Sequence, residues 1–340
     1  MKGAAAGQSG QVIIVDFPEP AAKEDDVILE ALVCGICATD VKLVQKGAKE
    51  AKYALGHELS GKIVKAPAKG QWKVGQHVVV APYLPCDQCY YCKHGQPTLC
   101  KNLYEIYPFP GGLAERVYIP AELARRGMFA IPDDLSIELA ALAEPLGCVI
   151  KGMEDSHFQA GDSLLVIGDG PMGQLAAAAG RSLGAGQVIV AGITDHRLRT
   201  AKQYYADTAV DVTQTNLHQV VAGCTDKRGA DVVIVAVSSA EAISNGIAMV
   251  RPGGRVNIFA GVPEDTQITL DVRKVHYQQY FLTGSSGTAP AHMNKALELL
   301  QSKMVDYSAI ISARYSFPKV GEAITYVKDR VGLKAVVTFS

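Results

Sequence analysis

Four cysteines, Cys86, Cys89, Cys92 and Cys100, fall in the run Cys-Asp-Gln-Cys-Tyr-Tyr-Cys-Lys-His-Gly-Gln-Pro-Thr-Leu-Cys. Four thiolates so close in sequence can surround one tetrahedral Zn²⁺ at about 2.3 Å per bond, with no position left for a substrate. The spacing therefore predicts a structural zinc that clamps a loop poor in apolar residues. A second, more dispersed set has the composition of a reactive centre. Cys34, Cys37 and Asp40 lie in Val-Cys-Gly-Ile-Cys-Ala-Thr-Asp, and His57 and Glu58 in Leu-Gly-His-Glu-Leu. One thiolate, one imidazole and one carboxylate leave a fourth zinc position for water or an alcohol, as catalysis requires. A lone His or Cys is more often a satisfied structural residue, so the order and company of these residues carry the expectation.

A third signal is Gly168-Asp-Gly170-Pro171-Met172-Gly173, which follows an apolar run at 164–167 and opens an Ala-rich helix to about 183. Glycines give the tight turn and let a pyrophosphate approach the backbone, while the helix N-terminus attracts its charge. The context predicts dinucleotide binding. An NAD-preferring site usually ends its second strand with an acid about 20 residues past the turn. Here Gly192 stands in that place, and Thr194, His196 and Arg197 follow as donors for a 2′-phosphate, so the sequence favours NADP(H). NAD(H) is the alternative, with Asp195 reaching the ribose.

These residues need rigid elements to hold them. Between 12 and 120 the chain shows short β-rich runs, at 12–15, 27–33 and 77–81, punctuated by Gly and Pro. From 163 onward apolar strands alternate with helices: strands at 164–167, 188–191, 232–237, 256–259 and 280–283, helices at 171–183, about 197–205 and 240–249. That rhythm implies a parallel sheet covered on both faces. After Gly287 an amphipathic helix carries Met293, Ala296, Leu297 and Leu300, a second carries Val320, Ile324 and Val327, and a strand follows at 335–339. This tail is too small for its own core and is expected to return to the first domain or cap the second.

At 340 residues, with 48% hydrophobic and 20% charged, the chain reads as folded, soluble and of about two domains. A net charge of −1 supplies no field to draw in nucleic acid or an anionic membrane. No apolar run approaches the roughly 18–20 residues that span a bilayer. Residues 1–10 are too small and polar for a secretory leader, so a cytoplasmic location is expected.

Jointly, these features resemble the zinc-containing medium-chain dehydrogenase/reductase family, in its polyol (sorbitol) and threonine dehydrogenase-like branch, over nearly the full length. The residues that carry the resemblance are Cys34 to Asp40, Gly56-His57-Glu58, the four-cysteine loop, Gly111-Gly112-Leu-Ala-Glu115, Glu144-Pro145-Leu146 and the turn from Gly168 to Gly173. The resemblance implies an α/β protein in which residues 1–148 and 288–340 form a GroES-like β-rich catalytic domain. Residues 149–287 would form a Rossmann domain, with the active site in the cleft. It implies a catalytic zinc on Cys37 and His57, with Glu58 or Glu144 as the acidic ligand and Cys148 not a ligand. Thr39 would take the hydroxyl proton and Asp40 would orient His57. Many members end the proton relay with a histidine where this chain has Lys42.

The implied reaction moves a hydride between a secondary alcohol, most readily a polyol giving a ketose, and NAD(P). Threonine, glucose or a sugar-alcohol phosphate fit the same residues. A non-catalytic zinc-stabilised dinucleotide sensor is the rival from another class, and the open zinc set of Cys37, Thr39, His57 and Glu144 stands against it. Tyr107 and Phe109 are candidates for the pocket or for core packing. Family members are dimers or tetramers, which makes the strand at 280–283 a candidate interface.

Overall fold

The computed structural model describes residues 1–8, 10–20 and 22–339. It divides into two compact units, one of Met1–Gly147, Thr288–Gln301 and Ile311–Ser340, the other of Cys148–Gly287 and Ser302–Ile310. The boundaries differ from the sequence reading at Cys148 and in the segment 302–310, both of which lie with the second unit.

A seven-stranded sheet organises the first unit. Its order is Ile311–Ser316, Lys334–Thr338, Val27–Gly35, Glu58–Lys65, His77–Val80 and Met128–Ala130, with Arg116–Ile119 also pairing to Val27–Gly35. Along Val27–Gly35 the residues Val27, Leu29, Ala31 and Val33 are buried while Glu30 is exposed, the period-two pattern of a strand with one face on a core. Register matters for the site. Gly35 lies opposite Glu58 on one side and opposite Val336 on the other, so three strands meet at one place. The chain tail thus contributes two strands here, and the helix Val320–Lys328 packs Val320, Ala323 and Ile324 against the same core as Val41 and Val44.

The second unit holds a six-stranded sheet in the order Thr208–Asp211, Gln187–Gly192, Ser163–Ile167, Ala230–Val235, Val250–Ile258 and Phe281–Gly284, every pair parallel. All of Ser163–Ile167 is buried, as expected of a strand covered on both faces. The order reverses between Ser163–Ile167 and Ala230–Val235, which makes the end of Ser163–Ile167 a topological switch point, the usual ligand position in such sheets. This is the doubly wound, Rossmann-type arrangement expected from the alternating pattern. Elements not legible in that pattern include the strand Thr208–Asp211, in which only Val210 is buried, the helix Leu217–Cys224, in which only Val221 is, and the helix Val272–Gln278, which buries none. No helix among the described residues is long and apolar enough to cross a membrane.

Candidate functional site

The strand register brings Cys37, His57 and Glu58 together, with one ligand atom from each lying within 4.8 Å of the others. Cys37 precedes the helix Ala38–Lys46 as its N-cap, and Asp40 closes the capping box by accepting the Cys37 N–H at 2.9 Å. The other Asp40 oxygen accepts the Gly56 N–H at 2.8 Å. One buried carboxylate therefore ties the backbone of one ligand to the residue before another. The sequence reading had Asp40 orienting the His57 ring directly. The structure corrects this: Oδ1 stands 3.8 Å from Nδ1, beyond hydrogen-bond range, and Asp40 acts through the backbone and its charge.

Glu58 is fully buried. Its Oε1 accepts from Lys334 Nζ at 2.6 Å, whereas its Oε2 has no hydrogen-bond partner among the described residues. A buried carboxylate oxygen without a donor is costly, and a cation held by Cys37, His57 and this carboxylate would relieve that cost. Gly35 makes this position possible, since a Cβ there would stand 1.9 Å from Oε2. Lys334, which the sequence did not single out, is itself buried and also reaches the Ile36 carbonyl at 3.3 Å. Burial opposes its charge, yet Glu58, Cys37 and Glu144 outweigh burial and hold its pKa above the ordinary lysine range.

Glu144 is buried near the start of the helix Ala143–Asp155, outside the close cluster but near enough to act on His57 and Lys334. Burial works against a proton on His57, while Asp40, Cys37 and Glu144 raise its pKa well above the usual value. The surroundings thus favour positive charge, and the soft thiolate, imidazole and carboxylate donor set suits zinc. Thr39 is exposed, with Oγ1 3.7 Å from Cys37 Sγ. Lys42 is exposed on the same helix.

Beside His57 opens a hollow of about 370 Å³, with Tyr53, Tyr104 and Tyr107 in its wall. Tyr107 packs edge-on against Tyr53, with ring centres 5.7 Å apart. Phe109 does not line the hollow; it packs edge-on against Phe17. No Lys or Arg is among the described residues that line this space.

In the cysteine loop, ligand atoms of Cys86, Cys89, Cys92 and Cys100 also lie within 4.8 Å of one another. The Cys86 N–H points to Cys100 Sγ at 3.3 Å and the Cys89 N–H to Cys86 Sγ at 3.4 Å. Backbone donors, first that of Cys92, lower the Cys89 thiol, while desolvation and its sulfur neighbours raise that of Cys92. Four thiols this close would serve as thiolate ligands to one divalent cation. No disulfide joins any of the cysteines among the described residues.

In the second unit the turn caps a helix, Pro171–Ser182, with Gly170 as N-cap and Pro171 at its first position. Gly168 has φ +128°, and a Cβ on Gly173 would stand 1.9 Å from the Gly168 carbonyl oxygen, so strand and helix meet there only through glycine. Open space faces Gly170, as a pyrophosphate needs. Met172 sits half-buried in the first turn of the helix. Beyond the next strand the sequence reading is corrected. Gly192 ends its strand without a side chain, but the carboxylate of Asp169 fills that place: a Cβ on Gly192 would lie 2.4 Å from Asp169 Oδ2. Arg197, read as a donor for a 2′-phosphate, is buried and faces Asp169 at 3.6 Å. Thr194 gives its backbone N–H to the same carboxylate at 2.7 Å, and Asp195 turns to Arg199.

Comparison with known proteins places these sites in context. Residues 171–302 match the family described as zinc-binding dehydrogenase, and residues 23–133 match the alcohol dehydrogenase GroES-like domain. Sorbitol dehydrogenase of Bacillus subtilis is 30% identical over 330 residues, covering 95% of this chain and 92% of that protein. D-arabitol-phosphate dehydrogenase of Enterococcus avium is 29% identical over 346 residues, covering 99% and 97%. A crystal structure described as a zinc-binding dehydrogenase of Sinorhizobium meliloti, bound to NADP, superposes with a TM-score of 0.88 at 27% identity, covering 99% and 98%.

Proposed function

This chain belongs to the zinc-containing medium-chain dehydrogenase/reductase family, and we propose that it interconverts a secondary alcohol of a polyol and the corresponding ketose, with a nicotinamide dinucleotide as hydride carrier. The observation that carries this reading is the set of Cys37, His57 and Glu58, whose ligand atoms lie within 4.8 Å of one another, with a buried Glu58 oxygen that has no hydrogen-bond partner among the described residues. We take Glu58 as the acidic member of the zinc set, with Glu144 adding negative charge from outside it. Zinc bound there supplies the Lewis acidity that lowers the pKa of an alcohol hydroxyl, as it lowers that of bound water to about 7. Thr39, beside Cys37 at the exposed start of its helix, accepts the hydroxyl proton while passing its own toward the ribose of the cofactor. Asp40 fixes the backbone of Cys37 and Gly56 so that the ligands do not drift. Lys334 holds one oxygen of Glu58 and leaves the other for the metal.

The tyrosine-walled hollow supports an unphosphorylated polyol: hydroxyls and ring faces suit a sugar alcohol, and a phosphate would need a cation in the wall. The names of the two curated relatives divide along the same line. A panel of sorbitol, xylitol, arabitol, arabitol phosphate, threonine and glucose, read by absorbance of the reduced nicotinamide, tests this. Turnover of the phosphate or of threonine alone would refute it, and so would turnover that survives complete zinc removal.

We further assign two zinc ions per chain, one catalytic and one on the four cysteines. Cys86→Ser is expected to lower the zinc content by one per chain and to lower Tm, as elemental analysis and calorimetry would show. Zinc content equal in wild type and variant contradicts the structural site. For the cofactor, Gly192 and the NADP-bound relative point to NADP(H), while the Asp169 carboxylate at the same strand end points to NAD(H). Geometry in this chain outweighs a relative sharing 27% of its residues.

Phe281–Gly284 ends the sheet of the second unit, with Phe281 59% and Leu282 37% exposed, which supports a homo-oligomer, tetramer or dimer, joined along this edge. Sedimentation is expected to show a multiple of 36.1 kDa for wild type and the single chain for Leu282→Lys. A wild type that sediments as one chain at micromolar concentration contradicts this. Cysteines held outside any disulfide are in keeping with a cytoplasmic site of action.

A further inference from the structure

The strand Gln187–Gly192 ends in glycine, yet a carboxylate occupies its end. A Cβ on Gly192 would lie 2.4 Å from Oδ2 of Asp169, 2.5 Å from its Cβ and 2.6 Å from its Cγ. Asp169 therefore holds its acid group in the volume where a side chain at 192 would begin. Its Oδ2 accepts the backbone N–H of Ile193 at 2.9 Å and of Thr194 at 2.7 Å, and the Arg197 guanidinium faces its Oδ1 at 3.6 Å. Both side chains are buried, Asp169 to 7% and Arg197 to 6% exposure. Gln174 braces the arrangement by donating to the carbonyls of Asp169 and Arg197.

Those two N–H groups and that guanidinium are the donors a 2′-phosphate would use. An internal anion has already taken them. The phosphate of NADP(H) must expel Asp169 or sit against a like charge, and expulsion would strand a buried carboxylate or a buried guanidinium. A ribose with free hydroxyls meets no such conflict, because Oδ1 retains acceptor capacity. Asp195 does not supply the acid, being paired with Arg199 on the exposed face of its helix.

We propose that Asp169 selects NAD(H) over NADP(H) in this chain: the acid usual at the strand end has moved to the glycine turn, and Gly192 is kept without a side chain to admit it. The assignment rests on the nicotinamide reading given above.

Equilibrium titration of the zinc-loaded protein with NADH and with NADPH, followed by nicotinamide fluorescence, tests it. Wild type is expected to bind NADH about tenfold or more tightly than NADPH. Asp169→Asn keeps an acceptor for Ile193 and Thr194 but removes the charge. NADPH affinity should then rise by about tenfold, and the preference for NADH over NADPH should fall at least in proportion. Wild type alone gives a second measurement, in which 5′-AMP should displace NADH more effectively than adenosine 2′,5′-bisphosphate. Tighter binding of NADPH by wild type, equal competition by the two adenosine nucleotides, or an unchanged NADH to NADPH ratio in Asp169→Asn would each overturn the assignment while the cofactor reading stands. Failure of both dinucleotides to bind would overturn the cofactor reading and this assignment with it.

Discussion

His57→Ala is expected to lower kcat/KM by about 10³-fold or more, because zinc supplies several kcal/mol of transition-state stabilisation and the variant no longer holds it in place. The fold should survive. His57 is half-buried at the rim of a hollow, outside the apolar core of Ala4, Ile36, Val41, Leu113 and Val337, so its loss opens no internal void there. Steady-state kinetics, zinc analysis and a melting curve on one preparation check all three parts. Activity within about tenfold of wild type with zinc still bound would remove His57 from the site. Glu58→Gln sharpens the test, since it keeps the shape of the side chain and its contact with Lys334 while withdrawing the charge offered to the metal.

Lys334→Met is expected to destabilise the zinc-free protein by about 3–5 kcal/mol, the usual consequence of leaving one charge of a buried pair uncompensated. The pair is dry, with Glu58 at 0% and Lys334 at 3% exposure. Two further outcomes distinguish this account from simple loss of packing. Zinc should restore part of the lost stability, because it brings positive charge to the same carboxylate. The double variant Glu58→Gln/Lys334→Met should recover most of the stability and none of the activity. Urea denaturation with and without zinc measures both. Equal loss in the single and double variants would mean that lysine packing, and not its charge, is what matters.

Residues whose role depends on local spacing could be read directly from the chain. The cysteines of the loop, the Cys37 and His57 motifs and the glycine turn each lie within one short segment, and the structure gathers the side chains of each metal set. Lys334 could not be found this way. It lies 276 residues from Glu58, and a lysine in a sequence defaults to the surface unless a buried partner is known. The choice between Glu58 and Glu144 was open for a related reason: both motifs are local, but which carboxylate joins Cys37 depends on the pairing of Gly35 with Glu58 across two strands. Asp169 was visible and was passed over. It sits at a position of the turn where any residue is allowed, and only the direction of its side chain gives it meaning. The short strand Thr208–Asp211 left too few buried residues to mark a period.

The contact between Gly192 and Asp169 also constrains how cofactor choice can change over generations. Exchanging Gly192 for an acid, the single step that would install the usual strand-end carboxylate, places a new carbon 2.4 Å from an existing oxygen and sets two like charges in one small volume. A lineage must therefore lose Asp169 before it can gain an acid at 192. Between those steps the donors at Ile193, Thr194 and Arg197 are released, and under the assignment proposed for Asp169 the intermediate would accept a phosphorylated ribose. The two ways of favouring the unphosphorylated dinucleotide are thus separated by a form of the opposite preference, and the order of substitutions along that path is fixed by sterics.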